Sequence, residues 1–220
     1  MTRLSPDRRR PSRAAAAHAA LLGALLLAGC APALPRAEPA PAPPSGTGAR
    51  TAAAHAAGAP LVVYVVRHAE RIDASRDPSL SEAGRARATA LAEALAHAGI
   101  GTVVTTQFVR TRETAAPIAG ALGIEPVVVA AAGPADAHAA DVARAVRAAP
   151  RDGAVLVVGH SNTVPAIVGA LGGPRFDDLC DADYDNLFVL VLRDGAPVRL
   201  ARARFGAADD ESACRAMAPL

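Results

Sequence analysis

The chain has 220 residues, of which 51% are apolar and 3% aromatic, with no tryptophan, so it has room for one domain plus an appendage. All 23 basic residues are arginine, a bias that reads as codon drift as much as selection, so arginine abundance by itself indicates no function. The formal charge is +2, but residues 1–29 hold five arginines and one aspartate, which leaves the remainder at −2 and excludes a general nucleic-acid binder.

Met1 to Arg13 is basic and Ala14 to Ala28 apolar, interrupted by His18, which is the layout of a secretory signal peptide. The apolar core is shorter than the ~20 residues a membrane-spanning helix needs. Leu27-Ala28-Gly29-Cys30 resembles the lipobox of bacterial lipoproteins, which implies that Cys30 is lipidated and becomes the mature N-terminus. The partner expected there is a membrane, reached through the lipid anchor, and the location is extracytoplasmic. In a Gram-negative cell that means the outer membrane or periplasmic face. Ala31 to Pro60, with seven prolines and no apolar periodicity, reads as a tether. The expected organisation is a signal peptide over 1–29, a tether over 30–60 and one folded domain over 61–220. In an oxidising compartment the two remaining cysteines, Cys180 and Cys214, are expected to pair and tie the C-terminal tail to the loop before the last hairpin.

Within the domain, Leu61 to Val66 is a run of six apolar residues that predicts a strand buried on both faces, and Arg67-His68 follows where such a strand leaves the core. Ser81 is a plausible N-cap for a helix from Glu82 to about His97. Thr102 to Thr105 predicts a second strand and Thr111 to Leu122 a second helix. Pro126 to Val129 predicts a third strand, and Ala139 to Ala148 a third helix. Ala154 to Val158 is another buried strand, ending in Gly159-His160, where the glycine is expected to let the backbone turn sharply. A helix over Val164 to Leu171 has Asn162 or Thr163 as its cap, and Asp194-Gly195 marks a hairpin between Leu187–Arg193 and Val198–Phe205. Alternating strands and helices predict an α/β fold, a three-layer α/β/α sandwich with a mostly parallel sheet and a C-terminal antiparallel hairpin at its edge.

Ligands bind beyond the carboxyl ends of such strands. His68 and His160 each follow a buried strand there, and Arg110 and Arg112 stand at the start of the second helix, where a helix N-terminus favours anions. Together these describe a cationic pocket for a dianion with an imidazole placed to attack.

Several stretches resemble the motifs of the histidine phosphatase superfamily, the phosphoglycerate-mutase-like fold. They are Arg67-His68-Ala69-Glu70, Leu80-Ser81-Glu82-Ala83-Gly84, Arg110-Thr111-Arg112-Glu113-Thr114-Ala115 and Val158-Gly159-His160-Ser161-Asn162. The resemblance implies phosphoryl transfer through a phosphohistidine on His68. Arg67, Arg110 and His160 would hold the phosphoryl oxygens and Asn162 would line the site, with Arg110 rather than Arg112 as the pocket arginine. No metal or other cofactor is implied. The resemblance departs at the proton donor, for which many members carry an acid after the third strand. Here that region offers Asp136 and Asp141. Asp136 is better placed by spacing, although a first-turn acid of a helix explains it as well. Glu70 and Arg71 are expected near the entrance. The expected activity is hydrolysis of phosphomonoesters or phosphorylated side chains, the partner being a small phosphorylated molecule or a protein. A phosphate-binding lipoprotein without turnover and a mutase-type phosphotransferase are the rival readings.

Overall fold

The computed structural model describes residues 59–209 and Cys214. Cys30 and the expected signal peptide and tether, but for Ala59 and Pro60, lie outside these residues. Among residues 59–209 four helices and six strands are present, alternating up to the fourth helix and ending in two consecutive strands. They are β1 (Leu61–Arg67), α1 (Glu82–Ala94), β2 (Ile100–Thr105), α2 (Val109–Leu122), β3 (Val127–Val128), α3 (Ala135–Ala148), β4 (Ala154–Gly159), α4 (Thr163–Ala170), β5 (Asn186–Leu192) and β6 (Arg199–Arg204). The sheet order is β3-β2-β4-β1-β5-β6. The first four strands run parallel, and the β5–β6 hairpin pairs antiparallel onto β1.

Burial follows this order. β1 and β4 are flanked on both sides, and every residue of β4 is buried. One sheet face is covered by α3 and α4 through Val142, Val146, Val164, Ile167 and Val168. The other is covered by α1 and α2 through Leu91, Leu95, Ala115 and Ile118. The architecture is therefore the three-layer α/β sandwich expected from the alternation, with the hairpin at one edge. β3, an edge strand, shrinks to two residues that are both exposed, because only one neighbour and no second helix face supports it.

Two glycines position the site by close approach. A Cβ on Gly84 would lie 2.1 Å from the Glu70 carbonyl oxygen, so α1 can sit against the loop after β1 only with glycine there. Gly159 stays in the strand rather than making a turn; a Cβ on it would lie 2.9 Å from Thr163 Oγ1 and 3.3 Å from Val164. Its small size lets α4 start directly over the end of β4.

Candidate active site

The carboxyl ends of β1, β2 and β4 open onto one cavity of about 240 Å³, bordered by Arg67, His68, Arg71, Phe108, Arg110, His138, His160, Asn162 and Asp181. The adjacency of β1 and β4 is what brings His68 and His160 together, with ring centroids 5.3 Å apart. His68 N–H donates to the Gly159 carbonyl at 2.9 Å, which continues the ladder one step past the strands.

His68 is almost wholly buried, and its Nδ1 lies 2.8 Å from its neighbour's Ala69 carbonyl oxygen. A carbonyl only accepts, so Nδ1 carries the hydrogen and Nε2 keeps its lone pair. Burial, with smaller contributions from Arg67, His160 and Arg110, pushes the His68 pKa down to about 3, against the opposing bond to Ala69. At neutral pH this ring is an uncharged imidazole with a fixed tautomer and a bare Nε2.

His160 is fixed in the opposite sense. Arg110 Nη2 donates toward Nδ1 at 3.4 Å, which leaves Nε2–H to donate to Thr106 Oγ1 at 3.1 Å. Thr106 and Thr111 hydroxyls meet at 2.9 Å, and Thr111 Oγ1 donates to the Phe108 carbonyl. Burial first, then Arg110, lowers the His160 pKa to about 3.

Arg67 is held from the far end of the chain. Its Nη1 donates to the Cys180 carbonyl at 2.7 Å, its Nη2 reaches Asp181 Oδ1 at 3.3 Å, and its guanidinium lies 4.1 Å over the Tyr184 ring. Cys180 is joined to Cys214 by a disulfide. Arg110 stacks on Phe108 at 4.4 Å and lies 3.7 Å from Asp77. Both guanidiniums nevertheless keep a buried Nε with no hydrogen-bond partner. Burial lowers the pKa of each, the nearby aspartates compensating only in part. Two cations short of anions, facing a cavity with an uncharged nucleophilic imidazole, suit a bound oxyanion.

The motif around Arg110 works as a positioning unit. Thr114 Oγ1 accepts from Ala69 N at 2.9 Å and donates to the Arg110 carbonyl, so it locks α2 to the end of β1. Glu113 accepts from Leu80 N at 2.6 Å. Arg112 is exposed and points away. The start of α2 is not an open anion site: Asp77 Oδ1 already accepts from Val109 N at 2.8 Å.

Three expectations are corrected. Asp136 does not border the cavity itself; its side chain is 67% exposed, pairs with Arg175 at 3.4 Å and borders the adjoining cleft. Helical spacing explains this, since positions 136 and 138 lie about 200° apart and His138 takes the inward face. Asp141 is also on the surface, paired with Arg144. Glu70 turns from the entrance to Arg87, whereas Arg71 does border the cavity. Asn162 borders the cavity too and makes no capping bond with its side chain. Sequence reading missed His138, Asp181 and Tyr184. For His138 a signal existed: with Val142 and Val146 it forms an i, i+4, i+8 stripe on the buried face of α3. For Asp181 and Tyr184 there was none.

The model of the histidine phosphatase superfamily (branch 1) matches residues 63–132, which carry β1 through the loop after β3 and include Arg67, His68 and Arg110. No curated protein sequence matches the chain. Among solved structures, the protein histidine phosphatase SixA complexed with tungstate is similar, with 17% identity and a TM-score of 0.52, covering 66% of this chain and 97% of that one. A mycobacterial glucosyl-3-phosphoglycerate phosphatase is similar at 17% identity and a TM-score of 0.52, covering 68% of this chain and 100% of that one. Another neighbour, mycobacterial hydrolase 2, has 17% identity and a TM-score of 0.54, covering 69% and 92%. These neighbours share the fold. The family match is confined to the first motifs, so over residues 63–132 the chain is similar to the histidine phosphatase superfamily.

Proposed function

We propose that the chain is a phosphatase that hydrolyses phosphomonoesters or phosphorylated side chains through a phosphohistidine on His68. The observation that carries this is the state of His68: buried, uncharged, held by Ala69 at Nδ1 and bare at Nε2, beside two guanidiniums with unpartnered Nε–H groups. Nε2 attacks phosphorus as the bond to the leaving oxygen breaks; that oxygen keeps the bonding pair and takes its proton from solvent. Arg67 and Arg110 take the equatorial oxygens, where charge must be stabilised. A phosphoryl dianion beside His160 raises its proton affinity, so its Nδ1 takes a proton and donates to the same group. Water then releases phosphate. The guanidiniums and imidazole supply the positive charge, so the reaction runs without a metal. The body of the substrate lies along the adjoining cleft between Pro134, Asn162, Pro165 and Phe176, which shares Ala135 and Asn162 with the cavity.

Turnover of p-nitrophenyl phosphate in the presence of a chelator tests the reading, followed by a panel of phosphorylated sugars, nucleotides, lipids and peptides. Denaturing quench during turnover should trap acid-labile, base-stable phosphate on one histidine. A folded enzyme that neither turns over any of these nor takes up label overturns it.

We further propose an extracytoplasmic, lipid-anchored setting. The Leu27-Ala28-Gly29-Cys30 stretch supports it, as does the Cys180–Cys214 disulfide, which persists in oxidising compartments. Cys30→Ser should move the protein from the detergent phase to the aqueous phase after membrane extraction; unchanged partitioning removes the anchor.

A further inference from the structure

A third imidazole borders the cavity. His138 lies near the start of α3 and is 2% exposed. Its Nδ1 lies 3.1 Å from the Ala130 carbonyl oxygen, which can only accept, so Nδ1 carries the hydrogen and Nε2 is bare. That Nε2 is buried and has no hydrogen-bond partner, an expensive state for a polar atom unless a ligand or water completes it. The side chain stands with Arg67, His68, Arg110 and His160 around the same cavity. Burial, ahead of the opposing Ala130 bond and Asp141, lowers its pKa, so the ring is in its basic form at neutral pH.

We propose that His138 is the general base of the second half-reaction, taking a proton from the water that attacks the phosphohistidine. This rests on the phosphatase reading above. In the step, a bond forms between the water oxygen and phosphorus. The bond from phosphorus to His68 Nε2 breaks, its electron pair returning to that nitrogen. One water proton passes to His138 Nε2, and inorganic phosphate is released. The imidazolium then donates through both nitrogens, Nδ1–H to Ala130 and Nε2–H to the departing phosphate, and sheds its proton to solvent once the cavity empties.

The other candidate bases at the cavity are hydrogen-bonded or ion-paired. His160 accepts from Arg110 at Nδ1 before substrate binds, carries a proton there once the phosphoryl group is bound, and donates to Thr106 at Nε2, so it has no lone pair for the attacking water. The Asp181 carboxylate faces Arg67 and Arg71 at 3.3 and 3.9 Å. Guanidiniums do not accept protons. Among the described residues around the cavity, this leaves His138 Nε2, besides the nucleophile, as a nitrogen lone pair with nothing bound to it.

Two substitutions separate a chemical role from a packing role. His138→Asn keeps an N–H donor near the position of Nδ1 and deletes Nε2; His138→Gln keeps an amide near Nε2 and gives up the Nδ1 donor. Neither supplies a base. Stopped-flow release of nitrophenolate from p-nitrophenyl phosphate, read per folded molecule, should show a burst of about one equivalent at the parent's rate in both variants. Steady turnover should then fall by ~10²-fold or more. Acid-labile phosphate should accumulate on His68 in the variants. Asparagine variant turnover equal to the parent's overturns the proposal, and so does a joint fall of burst and steady rates without accumulation. Absence of nitrophenolate release from the parent itself is a different result and overturns the phosphatase reading along with it.

Discussion

Arg87, and the pair Arg67 and Arg110, are largely buried guanidiniums that are satisfied in opposite ways. Arg87 of α1 is saturated. Its Nε donates to Glu70 at 2.9 Å, its Nη1 to the Ala207 carbonyl at 2.8 Å, and its Nη2 to Asp209 at 3.0 Å. Nearby Arg204 donates to Asp185 at 2.7 Å. Burial opposes the charge on Arg87, yet Glu70, Asp209 and Asp185 outweigh it and raise its pKa. The three carboxylates Asp183, Asp185 and Asp209 cluster closely enough to suggest a cation site, but arginines already face them. Arg67 and Arg110, by contrast, are buried with fewer anions, lowered pKa values and a partnerless Nε each. A guanidinium whose donors are filled by the fold acts as a strut, and one left with an unpaired donor beside a cavity is a candidate binding group. Both cost desolvation, and what differs is who supplies the anion.

The sharpest break in this comparison is at the proposed nucleophile. His68→Ala should lower turnover by ~10⁴-fold or more, because a fixed nucleophile facing a clamped phosphorus gains most of its rate from positioning. It should also abolish the quench-trapped label. His160→Ala should slow the reaction while still permitting labelling at high substrate, and a label residing on His160 would reverse the two roles.

The arginines should separate next. Arg110→Met should cost ~10²–10³-fold in turnover, the usual loss for one oxyanion donor, while thermal stability stays level or rises. Arg87→Met strands Glu70 and Asp209 and should cost about 3–5 kcal/mol of stability, with turnover per folded molecule near the parent's. If denaturant unfolding and initial rates gave the reverse pattern, the division into strut and binding group would fail.

Acid should expose the cavity through its histidines. His68 and His160 have folded pKa values of about 3, below the unfolded value near 6.5, so the unfolded chain binds more protons in between. Their contribution is complete above about pH 6.5 and is lost as pH falls toward 3, at about 2 kcal/mol per imidazole between pH 7 and 5. Denaturant midpoints measured across that range should fall, and His160→Gln should flatten the slope. An unchanged slope would mean that the imidazoles are charged in the folded state.

The smallest effect expected on rate links these guanidiniums to the disulfide. Cys180 is where Arg67 Nη1 is anchored, and the bridge spans 34 residues. Reduction should lower stability by about 3–4 kcal/mol in the chain-entropy model and slow turnover only a few-fold, as the 180–184 loop loosens around Arg67. Turnover insensitive to reductant at a temperature where the reduced protein stays folded would show that Arg67 needs no such anchor.

Much of the site was legible in the chain because its core is local. A buried strand followed at once by Arg67-His68, and another by His160, places both imidazoles at strand ends whatever else the fold does. The Arg110–Thr114 segment likewise has its spacing set by a single helix, which separates Arg110 in the cavity from Arg112 in solvent. Strand alternation was enough for the three layers. The short, exposed β3 was not foreseen, since its length depends on having one neighbour.

Other features required the tertiary structure. Arg67 meets Cys180 and Asp181 across 113 and 114 residues, and Arg87 meets Asp209 across 122. Which carboxylate satisfies which guanidinium depends on the hairpin pairing with β1, and residue type and spacing carry no record of that. The same holds at α3, where Asp136 looked like the acid and His138 turned inward. An aspartate in the first turn has the same local chemistry in solvent as in a cavity, and only the packing of α3 against the sheet decides which side chain meets the cavity.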